Sequence, residues 1–328
     1  MTGNTPSDID FVIFWVDGND PAHRQKRSQY LSDFSLESAH NAEQSTDDKR
    51  FVQHDELRFC LRSIKQFSPW YRKIHLVTDE QVPAFLDEDK LALDRIVIVD
   101  HKKLFRGKAH YLPTFNSRAL ATRVHHIPEL SRYYLLGNDD IMFGAPVQRD
   151  FFFDDGGRPV IYADWTAMKS PYGETLWQRG IINGAKMMNY SHSEILVPSH
   201  GFLPFDKTLV QTLETQFSES FENNLQHRFR HESQFILESL FNHFCVKNQL
   251  GRRQDTGSMV HFSFQLCREG SKEKIAFLFD LIAHGERKMF CLNEYQSLTK
   301  RMPEVKTRLY ELFPTPLLSE KGLNDVVE

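Results

Sequence analysis

Cysteine is scarce in this chain: there are four among 328 residues, Cys60, Cys245, Cys267 and Cys291. They stand far apart among apolar neighbours and never approach Cys-x-x-Cys spacing, which excludes a zinc knuckle or a disulfide scaffold and predicts reduced, buried thiols. Long apolar runs are also missing. The sequence never holds the roughly 18 apolar residues of a membrane span, and Met1 to Asp10 carries neither a basic nor an apolar signal region. These absences predict a soluble, unprocessed, cytoplasmic protein that meets a membrane only through partners. No single sign of charge dominates: 40 Lys and Arg face 44 Asp and Glu, so a bulk nucleic-acid binder is not indicated. Nor is there a GxxxxGK(S/T) loop, a GxGxxG after the first strand, a GxSxG elbow or an HExxH pair, which removes the commonest phosphate-loop, dinucleotide, hydrolase and zinc-protease sites.

What is present is ample core material, 40% hydrophobic with 27 phenylalanines, arranged as alternating strands and helices. Phe11 to Val16 (FVIFWV) reads as a buried strand stopped by Asp17, Gly18, Asn19, Asp20 and Pro21. His23 to Lys49 is polar and reads as a lid or a surface helix. From Asp55 the period becomes helical, with Leu57, Cys60, Leu61, Ile64 and Phe67 on one face and Pro69 beyond the end. Strands follow at Ile74 to Thr78 and Arg95 to Val99, then a helix at Asn116 to His126 that Asn116 or Ser117 would cap, then a strand at Tyr133 to Leu136. Val160 to Ala163 reads as one more strand. Alternation of this kind predicts an α/β fold, a Rossmann-like and mostly parallel sheet with helices on both faces. From about Ser199 the pattern is mainly helical, with Phe235, Leu237, Leu240, Phe241 and Phe244 in one amphipathic stretch. The expected division is a core over residues 1–165 and a mainly helical part over 166–328.

Several polar clusters interrupt this pattern. Asn138-Asp139-Asp140 lies between an apolar strand and Ile141-Met142-Phe143. Paired carboxylates there suit a hard cation such as Mg²⁺, although the same residues also form ordinary strand-end turns. His200, in the irregular segment SHGFLPFDK, is either an accessible acid or base or one more surface histidine among the 15 in the chain. His227-Arg228-Phe229-Arg230-His231 reads as a helix start, and its arginines serve either a solvated face or phosphate oxygens. Phe290-Cys291-Leu292 reads as a short strand ending in Asn293 and Glu294.

Four blocks, in order, resemble the Stealth family, the sugar-1-phosphate transferases of bacterial capsule and exopolysaccharide synthesis, to which the catalytic core of GlcNAc-1-phosphotransferase also belongs. They are IDFVIFWVDGND (Ile9 to Asp20); DELRFCLRSIKQFSPWYRKIHLVTD (Asp55 to Asp79), continuing through LPTFNSRAL to LLGNDDIMFG (Leu135 to Gly144); HGFLPFDK with RFRHESQF (His200 to Phe235); and FCLNE (Phe290 to Glu294). The resemblance implies a glycosyltransferase-A-type core that binds a nucleotide sugar over residues 1–165, with residues 166–328 completing the active site and acceptor region. It implies transfer of a hexose-1-phosphate, an N-acetylhexosamine-1-phosphate in particular, from a UDP-sugar donor to a hydroxyl of a polysaccharide or oligosaccharide acceptor, with release of UMP. It further implies Mg²⁺ or Mn²⁺ on Asp139, Asp140 and Asn293, and catalytic roles for His200, Arg230 and Asp17. Trp15, Asp17, Arg58, Arg62, Asn116, Ser117, Asn138 and Arg228 are the substrate-binding candidates. No nucleic-acid partner is implied, and the setting is the cytoplasm at the inner face of the membrane, beside a capsule assembly complex. Where the family pattern often has Asn-Asp, this chain has Asn293-Glu294.

Phosphoryl transfer is mostly positioning and charge neutralisation, which a metal, an arginine and a base near the acceptor would supply here. His200 would take the acceptor proton or accept the phosphoryl group itself. Two alternatives stand beside this reading, an ordinary metal-dependent glycosyltransferase and a non-catalytic carbohydrate-binding module. Phenylalanines flank every block, and the expectation is that they form a rigid apolar bed, with Phe202 or Phe205 facing a sugar.

Overall fold

A computed structural model describes residues 5–37, 46 and 51–322. Its strands, in chain order, are β1 (Ile9–Phe14), β2 (Ile74–Thr78), β3 (Ile96–Asp100), β4 (Tyr133–Asn138), β5 (Ile141–Phe143), β6 (Val160–Thr166), β7 (Ile195–Pro198), β8 (Leu203–Asp206), β9 (Arg252–Gln254), β10 (Met259–His261) and β11 (Met289–Cys291). The main sheet has the order β3-β2-β1-β4-β8. Its first four strands run parallel, and β8 closes the sheet antiparallel to β4. Parallel neighbours cannot be joined by a tight turn. Their connections therefore carry the helices Pro21–Glu37 and Glu56–Phe67 before β2, and Ser117–Ala121 before β4.

The apolar run at β1 exists because this strand is covered on both faces, as parallel sheets require. Ile9, Phe11 and Ile13 enter one core together with Leu57, Phe59, Leu61 and Ile64 of the helix Glu56–Phe67. Val12 points the other way, into a core that holds Ala119, Leu240 and Phe241. The Rossmann-like α/β class expected from the alternation is what the chain forms. Two smaller sheets flank it, β10-β11-β5 and β7-β6-β9. Val160 to Ala163, expected to add a strand, belongs to the second of these.

Residue 165 falls inside β6, and β8 from the second part completes the first part's sheet, so the two parts share one layer. Described helices of the second part include Leu176–Met187, Lys207–Gln216, Ser218–Gln226, Leu237–Lys247 and Lys272–Ala283. The polar stretch read as a lid or a surface helix begins as the helix Pro21–Glu37, whereas residues 38–45 and 47–50 lie outside the described residues. All four cysteines are free and buried.

Phe202 and Phe205 do not face a sugar. Phe202 is fully buried, at 5.0 Å from the ring of Phe11 and 5.1 Å from that of Phe143. It presses onto Gly137 of β4, where a Cβ would lie 2.5 Å from its ring, so only glycine admits it. Phe205 stacks on Tyr134 at 5.3 Å. Most of the described phenylalanines are core, although Phe264 and Phe277 are exposed, and Phe11, Phe143 and Phe202 form a bed beneath the turn that carries Asp139 and Asp140.

Candidate active site

The chain crosses from β3 over to β4, on the far side of β1, and this reversal of strand order opens a crevice beyond the carboxyl ends of β1 and β4, where α/β folds bind ligands. Phe14 and Asn138, the last residues of those strands, are paired in register. Beyond them lies a cavity of about 270 Å³ whose wall includes Trp15, Asn116, Ser117, Asn138, Asp139, Asp140, Arg230 and Asn293. A second cavity, of about 190 Å³, contains His200 and Trp177. Phe14, Ser117, Asn138, Arg230 and Asn293 line both. Each cavity therefore borders the other through a wall that carries the arginine.

The first cavity is acidic at its floor. Asp139 and Asp140 end the β4–β5 turn, and Glu56 joins them from the start of the helix Glu56–Phe67. Gln53 relays between Trp15 and the cluster: Trp15 Nε1 donates to Gln53 Oε1 at 2.8 Å, and Gln53 Nε2 donates to Asp139 Oδ2 at 2.9 Å. Asn293 reaches the same place because β11 pairs antiparallel with β5, and Leu292 N then donates to the Asp140 carbonyl at 2.9 Å. Among the described residues no ion pair reaches Glu56, Asp139 or Asp140. Burial raises the pKa of all three carboxyls, with Asp140 adding to the shift of Asp139 and Asp139 to that of Glu56, which is pushed up to about 8. Asp140 Oδ1 is buried without a hydrogen-bond partner. Crowded carboxylates with an orphaned oxygen and an amide are the donor set a hard divalent cation takes, so these residues fit Mg²⁺ or Mn²⁺.

Arg230 sits on an irregular segment, not at the helix start the basic cluster suggested. One helix ends at Gln226 and the next begins at Leu237. Buried amides hold the chain between them. Asn116 Nδ2 donates to the carbonyls of His227 and Phe229 at 2.9 Å and to Gln234 Oε1 at 3.0 Å, and Gln234 Nε2 donates to the Asn224 carbonyl at 2.8 Å. Such side chains offer the backbone partners that a helix would otherwise supply. Arg230 Nη2 then donates to Ser117 Oγ at 2.8 Å. His200 lies between β7 and β8, stacked on Trp177 at 5.7 Å and on His261 at 3.8 Å. Burial holds its pKa below the ordinary histidine value, which leaves it neutral near pH 7 and able to accept a proton.

Four expectations change on this geometry. Arg58 and Arg62 are not at either cavity: both pair with Glu320, at 2.9 and 2.6 Å, and Arg62 Nη1 donates to the Phe313 carbonyl, so they bind the helix Glu56–Phe67 to the C-terminal segment. Arg228 donates to the Leu112 carbonyl at 3.3 Å and lies over the Tyr30 ring, outside both cavity walls. Asp17 lines neither cavity: its carboxylate accepts from Asn19 N at 2.8 Å and shapes the turn after β1. Gly18 in that turn donates to the Phe51 carbonyl at 2.7 Å, and a Cβ there would lie 2.2 Å from Phe51 Cβ. Asn116 lines the first cavity, but its amide is spent on the segment that carries Arg230, so it positions that residue.

Sequence reasoning missed Gln53, Glu56, Trp177 and Glu238, each in a cavity wall. Glu56 is the acid in the first turn of the helix Glu56–Phe67, where it favours the helix dipole, a role that conceals any other.

A Rossmann-like α/β protein with an acidic ligand cavity at its strand switch point is the class this architecture defines. The chain is similar to the Stealth family in its conserved regions: residues 7–35 match Stealth protein conserved region 1 and residues 50–161 match conserved region 2. It is 31% identical to an exopolysaccharide phosphotransferase of Streptomyces coelicolor over 94% of this chain and 51% of that protein. It is 28% identical to a capsular polysaccharide phosphotransferase of Haemophilus influenzae, over 90% of this chain and 80% of that one. An exopolysaccharide phosphotransferase of Mycobacterium tuberculosis is 28% identical over 97% of this chain and 59% of its own length. The chain thus spans about half the length of the Streptomyces relative. In structure it is similar to apo mouse xyloside xylosyltransferase 1, at a TM-score of 0.43 and 11% identity, over 88% of this chain and 98% of that one.

Proposed function

We propose that this chain transfers a hexose-1-phosphate, an N-acetylhexosamine-1-phosphate in particular, from a UDP-sugar to a sugar hydroxyl, building phosphodiester links in a capsular or extracellular polysaccharide. The relatives named as polysaccharide phosphotransferases support the reaction class. The single observation that carries it is Arg230, set in the wall between the acidic cavity and the cavity of His200.

On this reading the donor diphosphate lies over Asp139, Asp140 and Asn293, which would hold Mg²⁺ or Mn²⁺. The cation would neutralise phosphate charge when bound. Arg230 clamps oxygens of the phosphoryl group that bears the sugar, a task its planar fork suits. The acceptor enters the second cavity, where neutral His200 takes the hydroxyl proton onto a ring nitrogen. The acceptor oxygen bonds to that phosphorus, the bond to the oxygen bridging the two phosphates breaks, and UMP leaves. Asn116, through its hold on residues 227–234, keeps Arg230 aimed at the shared wall. No helix among the described residues is long and apolar enough to cross a membrane, and we place the protein with a capsule assembly complex at the cytoplasmic face. Incubating it with a panel of UDP-sugars and short polysaccharide fragments tests the reading. UMP formation that depends on one sugar and one acceptor is expected, and UDP as the released nucleotide would overturn it.

A further inference from the structure

A second donor set, chemically unlike the first, lies behind His200 and adjoins the carboxylate cluster, since Cys291 Sγ donates to Asp140 Oδ2 at 3.4 Å. His261 ends β10 and Cys291 ends β11, and the two are register partners in that parallel ladder. His200 arrives from the β7–β8 connection and stacks on His261 at 3.8 Å. One ligand atom from each of these three residues lies within 4.8 Å of the others. His261 Nε2 is buried and has no hydrogen-bond partner, an arrangement that is unfavourable unless something occupies the position. Cavity two reaches His200 and so provides an entry path.

We propose that His200, His261 and Cys291 form a binding site for a borderline-soft divalent cation, Zn²⁺ or Co²⁺, softer in its donors than the oxygen cluster it adjoins. Two imidazoles and a thiolate select such ions over Mg²⁺, which prefers carboxylate, carbonyl and water. Tetrahedral zinc sets its ligand atoms about 3.5 Å apart, so closing this triangle needs side-chain shifts of about 1 Å. Three protein ligands leave a fourth position for water. The consequence is regulatory: an ion that holds His200 removes the group that accepts the acceptor's proton, so zinc inhibits the Mg²⁺-supported reaction. That consequence rests on the role proposed for His200, whereas binding does not.

The test is a cobalt titration of the purified protein in excess Mg²⁺, followed by visible and near-ultraviolet absorption and by zinc competition. One equivalent should bind with a thiolate-to-cobalt charge-transfer band and tetrahedral visible absorption, and zinc should displace it. Cys291→Ser should lose the band, and His261→Gln should weaken binding at least tenfold. Cys291 is buried, so circular dichroism and thermal unfolding of both variants confirm folding, and the exchange at half-exposed His261 decides the matter if Cys291→Ser does not fold. No band in the wild type, or unchanged affinity in folded His261→Gln, overturns the site. A site that binds while turnover continues unaffected contradicts the role of His200 and leaves the metal site standing.

Discussion

Arg230 donates to Ser117 Oγ at 2.8 Å in the wall common to the acidic cavity and the cavity of His200. A guanidinium held there touches whatever passes between the two chambers. Arg230→Ala should lower kcat by about 10²–10³-fold, the usual effect of losing one preorganised electrostatic contact to a transition state. Arg230→Lys should recover only part of this, because a point charge lacks the fork. Steady-state kinetics on folded variants checks both.

The carboxylate cluster predicts dependence on a divalent cation. Excess EDTA should abolish turnover, and Mg²⁺ or Mn²⁺ should restore it. Asp140→Asn should weaken metal binding at least tenfold by calorimetry while leaving the fold intact, because Asp140 Oδ1 has no protein partner and the amide oxygen of Asn can still accept from Cys291 Sγ in place of Oδ2.

Arg62 offers the opposite case. Its pairing with Glu320 is buried, and breaking a buried pair costs about 3–5 kcal/mol. Arg62→Ala should lower the unfolding free energy by about that amount and leave the donor KM of the folded fraction unchanged. A raised KM without loss of stability would return Arg62 to the substrate site.

The legible parts of the sequence were those where one local pattern has one physical cause. FVIFWV could be read because a strand covered on both faces leaves a continuous apolar run, and Asn138-Asp139-Asp140 because it breaks such a run abruptly. Arg58 and Arg62 misled because a basic pair at i and i+4 looks alike whether it faces a ligand or Glu320, some 260 residues away in sequence. The 227–231 segment misled because its partners are buried amides, Asn116 and Gln234, whose backbone-binding role has no local signature. Asn293 was recognisable by resemblance alone, since only the β11–β5 ladder brings it to Asp140.

Within β1, buried Asp10 predicts an acid-sensitive fold. Burial raises its carboxyl pKa, but hydrogen bonds from His75, Arg72 and Ser131 outweigh burial and the net shift is downward. A carboxyl lowered in the folded state adds stability above its unfolded pKa, about 3.9, and that stability is lost as pH falls towards the folded value. Asp10→Asn should therefore cost about 1–3 kcal/mol near pH 7 and flatten the stability curve below about pH 4, as denaturant melts across pH would measure.

The central claim is that phosphorus travels with the sugar. Incubation with a UDP-sugar carrying ³²P only in the sugar-bearing phosphate, together with acceptor fragments and Mg²⁺, measures this directly. The account predicts label in the lengthened acceptor and unlabelled UMP in solution. Labelled UDP beside a phosphorus-free product would contradict it and make the protein an ordinary glycosyltransferase.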